Sequence, residues 1–260
     1  MGVVREFVAG VATLLRGLAV YGRNPRLVLL GIVPALLSAA LFVAAYATLV
    51  VYADDLAAWV TPFADGWSSG PRQAVRLLAE FAFLGAGALV AVLTFTAVTL
   101  VIGDPFYEKI SELVEAQFGG VPGAVEVPWW RSLRHSLTDS ARLVAMSVLV
   151  GISLLAAGFI PVVGQTAVPV IGALTGGWFL ALELVGAPFY RRGLRLPQRR
   201  AALRRRRPLA LGFGVAVFCC FLIPLGAVLI MPAAVAGGTL LAREVVHGDA
   251  VRSRTQRPES

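Results

Sequence analysis

Lysine is nearly missing from this chain: Lys109 is the only one in 260 residues, so almost all of the positive charge behind the net +8 is arginine. Charge of any kind is scarce, at 15% against about 25% in soluble domains, while hydrophobic residues reach 58% against roughly 45–50%. That balance excludes an ordinary soluble domain and points to an integral membrane protein. The two cysteines, Cys219 and Cys220, are adjacent inside an apolar run. They read as small hydrophobes, which excludes a disulfide framework or a cysteine metal pair. His135 and His247 stand alone, so no metal cluster is expected. No Gly-Lys-Ser/Thr phosphate loop is present, which removes ATP hydrolysis as a motor. No nucleophile, base and acid fall into a catalytic pattern, so the chain reads as a non-enzyme without a cofactor. Glu6 and Arg16 interrupt the first apolar pattern, and a cleavable signal peptide is not expected.

What is abundant is uninterrupted apolar sequence. Leu143 to Tyr190 is 48 residues with Glu183 as its only charge, yet its centre reads Phe159-Ile160-Pro161-Val162-Val163-Gly164-Gln165-Thr166-Ala167-Val168-Pro169. Prolines, a glycine and an amide break a helix and open its backbone. Leu222-Ile223-Pro224-Leu225 repeats Phe159-Ile160-Pro161-Val162 after 63 residues, and a second proline follows eight positions on in each copy, Pro169 and Pro232. Paired proline- and glycine-interrupted apolar segments point to a transport site.

The remaining chain arranges itself around that pair. Residues 5 to 20 place Phe7, Val11, Leu14 and Leu18 at helical spacing and predict an amphipathic helix on the membrane surface. After the break at Gly22 to Arg26, the uncharged run of 27–53 is long enough for ~30 Å of hydrocarbon. Asp54, Asp55, Asp65, Trp59 and Trp67 form an acidic, aromatic loop, and 71–80 predicts a short helix leading into a second span over 81–103. Asp104-Pro105 suits the start of a separate amphipathic helix, with Phe106, Ile110, Leu113 and Phe118 on one face and Glu108, Lys109, Glu112 and Glu115 on the other. Pro128-Trp129-Trp130 suits the headgroup zone, and Arg131, Arg134, His135 and Arg142 lead a basic helix into the first long apolar segment.

The expected fold is therefore all-α: two full transmembrane helices, amphipathic surface helices, and two broken hairpins over 143–190 and 208–242 that are re-entrant or barely spanning. One membrane domain covers 1–245, and 246–260 is expected to be a polar, disordered tail. Nine arginines between Arg191 and Arg207 place that segment, and with it both termini, on the cytoplasmic side of a multi-pass cell-membrane protein.

With those motifs in view, the chain resembles the CysZ sulfate permease family, which belongs with the etoposide-induced 2.4-like membrane proteins. The resemblance is carried by Ile102-Gly103-Asp104-Pro105-Phe106 with Glu112 and Glu115, by Phe159 to Gln165 with Trp178, and by Gly212-Phe213-Gly214, Ile223-Pro224 and Met231 to Thr239. It implies two full membrane helices, two partly penetrating hairpins, assembly as a homo-oligomer, and sulfate uptake for cysteine synthesis. One motif departs. The family carries a Gly-Leu-Arg-type anion site after the proline that opens the first membrane helix, whereas here Pro25 is followed by Arg26-Leu27-Val28-Leu29.

Sulfate or a similar oxyanion needs hydrogen-bond donors and positive potential, which a helix N-terminus supplies. Arg23, Asn24 and Arg26 are the expected anion contacts, with positive-inside anchoring as the bland reading of the two arginines. Pro161, Gly164, Gln165, Thr166, Pro224 and Pro232 are expected at hairpin tips or along a pore, the alternative being tight turns buried in an oligomer. Backbone left unpaired by these breaks is not expected to face lipid. Glu183 is the one acid deep in apolar sequence and a candidate proton carrier, or the partner of an interfacial arginine. Glu112 and Glu115 either gate through arginine pairs or form a solvated face. The arginine run from Arg191 to Arg207 lacks interleaved aromatics and is tied to membrane segments on both sides, so it reads as an anionic-lipid contact and not as a nucleic-acid site. The competing reading is a non-transporting membrane scaffold, which the absent Gly-Leu-Arg favours, whereas the paired hairpins favour transport.

Overall fold

The computed structural model describes residues 2–121, 129–223 and 225–255. Its helices are α1 (Val3–Arg23), α2 (Pro25–Val51), α3 (Ala53–Val60), α4 (Ser69–Gln117), α5 (Trp129–Gly158), α6 (Val163–Leu184), α7 (Gly186–Arg191), α8 (Leu196–Arg205), α9 (Arg207–Phe221) and α10 (Gly226–Thr255). No strand occurs among the described residues, and the protein is an all-α membrane protein. Segments of α2, α4, α5, α6 and α10 are long and apolar enough to cross a bilayer, whereas α9, at 15 residues, extends only about 22 Å. α10 continues to Thr255, into the stretch expected to be a disordered tail. Pro224 and the side chains of Trp129, Trp130, Arg131, Arg134 and His135 lie outside the described residues.

The chain forms two compact units, Ile32–Asp104 and Met1–Gly31 with Pro105–Ser260. Within the first, α2 and α4 meet through the Phe42 and Phe95 rings, 5.6 Å apart, and a hydrogen bond from the Tyr46 hydroxyl to the Leu84 carbonyl at 3.4 Å. Leu49 fills the space that a side chain at Gly87 would take. The helix expected to begin at Asp104-Pro105 does not begin there. α4 is one helix of 49 residues, about 73 Å, that runs from before the apolar span straight through Pro105. Proline forfeits one backbone bond, but the long helix retains the rest and continues across it. α2 passes through Pro34 in the same way.

In the second unit α1 does not display the stripe that its periodicity suggests. Its buried residues are Gly10, Thr13, Leu14 and Gly17, whereas Leu18 is exposed, and Val4, Val8 and Leu15 point outward. The reason is backbone approach. A Cβ on Gly10 would fall on the Leu209 carbonyl and lie 2.7 Å from the Phe213 nitrogen, and one on Gly17 would lie 2.5 Å from the Gly237 nitrogen. Small residues let helices in membranes touch along their backbones, which large apolar side chains would prevent. α6 meets α9 by the same device, Gly177 against Gly214.

Both hairpins form. α5 and α6 join through Phe159 to Val162, and α9 and α10 through the matching stretch that begins at Leu222. At both tips part of the backbone is paired within the turn. Ile160 donates to the Ala157 carbonyl at 3.1 Å and Gly164 to the Ile160 carbonyl at 2.8 Å; Ile223 donates to Cys220 at 3.3 Å and Gly226 to Ile223 at 2.8 Å. The exposed side chains there are Phe159, Ile160, Val162, Leu222, Ile223 and Leu225. These bonds pair part of the backbone of each tip, and the side chains just named give it an apolar surface. Gly164, Gln165 and Thr166 belong to the first turn of α6, with the Thr166 hydroxyl donating to the Val162 carbonyl at 2.7 Å. Pro169 and Pro232 are inside α6 and α10. Pro232 is therefore not at a tip; its ring packs under Gly31, 2.7 Å from where a Cβ would stand.

Candidate functional site

The polar residues that the fold draws together lie near the C-terminal end of α4. Ser111 and Glu115 are four apart and share one face of α4, the face that also buries Tyr107, Ile110 and Val114. The expected faces are thus rotated: Phe118 is exposed and Glu115 is only 2% accessible. After α6 ends, the short α7 carries Arg191 and Arg192 to this face, and Gly193, at φ 69°, turns the chain away. Only a glycine adopts that left-handed turn without cost.

Glu115 is held by both arginines. Arg192 Nη1 donates to Oε1 at 2.5 Å and Arg191 Nε to Oε2 at 3.3 Å. Arg191 Nη2 also donates to the Ser111 hydroxyl at 2.5 Å, and Arg192 Nη1 to the Pro188 carbonyl at 2.7 Å. Ser111 Oγ lies 2.8 Å from Thr239 Oγ1 on α10, and both residues are fully buried. Two guanidinium charges against one carboxylate leave a surplus of +1 at this cluster. Each carboxylate oxygen of Glu115 accepts one charge-assisted bond, and such a buried pair holds the two arginines in place.

The other expected site residues are spread apart. Glu112, one position away from the buried face, is exposed and pairs with Lys109 at 2.8 Å. Glu183 is exposed on the last turn of α6. Arg23 and Arg26 are exposed at the α1–α2 junction, and Asn24 caps α2: its Oδ1 accepts the Arg26 backbone N–H at 3.0 Å. That bond consumes one of the free amides on which an anion would rely. Across the junction the Tyr21 hydroxyl donates to the Val28 carbonyl at 3.3 Å, and burial raises its pKa above 10.0. Gln165 is exposed beside the first hairpin tip.

The arginine run is not one lipid-facing surface. Arg206 pairs with Glu244 at 3.0 Å and Glu6 at 3.9 Å, and Glu244 also meets Arg16 at 3.3 Å, so this chain of charges ties α1, α9 and α10 together. Arg199 is buried. Arg204 and Arg207 remain exposed. Ser111, Thr239 and Arg199 were not singled out by the sequence, because a lone hydroxyl in a helix and one arginine among nine look like background.

The family described as Sulfate transporter CysZ/Etoposide-induced protein 2.4 matches residues 13–232, which include all of this cluster except Thr239. The chain belongs to that family. Curated relatives named Sulfate transporter CysZ include one from Pseudomonas fluorescens, 33% identical over 156 residues that make up 59% of this chain and 62% of the relative. One from Pseudomonas syringae pv. tomato is 32% identical over 155 residues, 58% of this chain and 61% of the relative. One from Pectobacterium atrosepticum is 28% identical over 173 residues, 66% and 59% respectively. The chain thus spans about three fifths of the length of these CysZ relatives.

Proposed function

We propose that this CysZ-family protein is a membrane permease for sulfate or a related small oxyanion, works without ATP hydrolysis and feeds sulfur assimilation. The observation that carries the reading is the convergence of Arg191 and Arg192 on buried Glu115, with a surplus of +1 beside two buried hydroxyls. Sulfate is an acceptor-only dianion near neutral pH, so it suits guanidinium and hydroxyl donors. In this reading Glu115 occupies the arginines when no anion is bound, and an arriving oxyanion competes for the same N–H groups. Arg23 and Arg26 attract the anion to the opening of α2, with Asn24 keeping that helix end formed. Gln165 supplies an amide at the first tip, near Pro161, Gly164 and Thr166, and Glu112 and Glu183 remain candidates for proton coupling. The CysZ name of the relatives supports sulfate as the substrate.

The protein further acts as a homo-oligomer in the cell membrane with both termini in the cytoplasm, where Arg204 and Arg207 meet anionic lipid. A second reading, a non-transporting membrane scaffold, is favoured by the sequence Arg26-Leu27-Val28-Leu29 in place of Gly-Leu-Arg. Labelled sulfate flux into liposomes holding the purified protein separates the two. The permease reading expects uptake above that of empty vesicles; uptake equal to theirs at several pH values leaves the scaffold.

A further inference from the structure

Arg199 is the largest fully buried side chain of the described residues, with 2% of its surface accessible. It stands on α8 and reaches back to the end of α6, where Nη1 donates to the Leu182 carbonyl at 2.8 Å. That bond satisfies a carbonyl of the last turn and sets a cation at the negative end of the helix. The guanidinium also lies over the Tyr190 ring, 5.1 Å from its centroid. Gly186 packs close beside it: a Cβ there would be 3.1 Å from Nη1.

One edge of the guanidinium is thus anchored and its face is stacked, but Nε and Nη2 are buried without a hydrogen-bond partner. These two nitrogens form the side-on fork, whose parallel N–H groups match two oxygens of a carboxylate, sulfate or phosphate. A guanidinium cannot shed its proton to escape burial, and a buried cation with donors unmet is costly. The protein holds this fork in one orientation, by carbonyl and ring, without giving either of its N–H groups a partner.

We propose that the Nε/Nη2 fork of Arg199 is a binding site for one oxyanion group of the sulfate or phosphate type, separate from the cluster at Glu115. The group belongs either to a free anion or to the phosphate of an anionic lipid, since α8 also exposes Arg204. Binding is read without transport, so the outcome does not depend on whether the protein is a permease.

The test uses the full chain in detergent micelles, with labelled inorganic sulfate in one arm and phosphatidylglycerol retained through purification in the other. Arg199→Lys keeps the charge and loses the fork. If the source is the free anion, sulfate bound per chain falls by one, or that site weakens about tenfold or more, as expected when one charge-assisted hydrogen bond is lost. If the source is lipid, sulfate binding is unchanged and retained phosphatidylglycerol falls. Equal binding by wild type and variant in both arms overturns the proposal. Arg199→Gln provides a second measurement where lysine is not tolerated. The thermal midpoint of the wild type rises with sulfate or with phosphatidylglycerol and that of Arg199→Gln does not. An Arg199→Gln protein that is more stable than wild type in every medium also overturns it, because the buried charge then has no anion to meet.

Discussion

Gly164 and Gly226 make the same kind of backbone approach in the two hairpins. Each stands six residues after a carbonyl, that of Gly158 and that of Cys220, onto which a Cβ at either glycine would fall. The positive-φ residues match in the repeated Ile-Pro register, Val162 at φ 70° two positions before its glycine and Leu225 at φ 60° one position before its own. Non-glycine residues rarely hold that conformation, and it persists here because the turn bonds on both sides over-determine it. Gly164→Ala and Gly226→Ala should each open their tip, since backbone must move to admit the methyl. The cost is roughly 1–3 kcal/mol, visible as a lower thermal midpoint in detergent. Alanine variants that melt with wild type would show that the two tips are not built as described.

Glu115→Gln tests the charged cluster. Arg191 and Arg192 would then share a neutral amide in a buried setting, and removing one partner of such a group costs about 3–5 kcal/mol. Arg192, at 11% accessible, suffers more than Arg191 at 21%. A double change, Glu115→Gln with Arg192→Met, should recover much of the loss, which a double-mutant cycle on unfolding midpoints measures. Additive losses would mean that the pair is not coupled.

Gly17→Val should detach α1. Its side chain would meet the backbone of Gly237 and the Ala233 carbonyl, the latter 2.6 Å from the Cβ alone. Neither neighbour is a flexible side-chain end, so the helix itself must shift. Limited proteolysis of the N-terminal segment should accelerate, whereas the outward-facing Leu15→Val should leave it unchanged.

Arg26→Ala and Asn24→Ala separate anion attraction from helix capping. Under the proposed permease role, Arg26→Ala weakens sulfate uptake with little change in melting, because Arg26 is exposed. Asn24→Ala removes the cap of α2 and lowers stability by about 1 kcal/mol. If Arg26→Ala transports like wild type, the residue has no place in the anion path.

Much of the architecture was legible in the order of residues. Uncharged length alone marks α2, the span within α4 and the arms of both hairpins, because a bilayer demands about 20 apolar residues of any helix that crosses it. The repeated Ile-Pro pair located both turns, since proline and a following glycine end one helix and begin another. Helix boundaries inside mixed sequence were not legible in the same way. Asp104-Pro105 has the chemistry of a helix start, yet α4 passes through it, because proline costs one bond and a long helix retains the rest. α1 shows a large apolar stripe, but the face that packs is the one with Gly10 and Gly17, and closeness of backbones is invisible in hydrophobic periodicity.

The site divides along the same line. Composition and spacing determined by themselves that the chain is a helical membrane protein with two broken hairpins and an arginine-rich flank, because these depend on short-range physics and on the solvent. Only the tertiary structure decided which arginines face a carboxylate, which meets a carbonyl and an aromatic ring, and which remain exposed. Arg191, Arg192, Arg199 and Arg204 are alike in sequence, and what separates them is the element that each happens to meet: α4 for the first two, the end of α6 for the third, and no described contact for the last. Such partners lie up to 80 positions apart in the chain, so no local pattern encodes them.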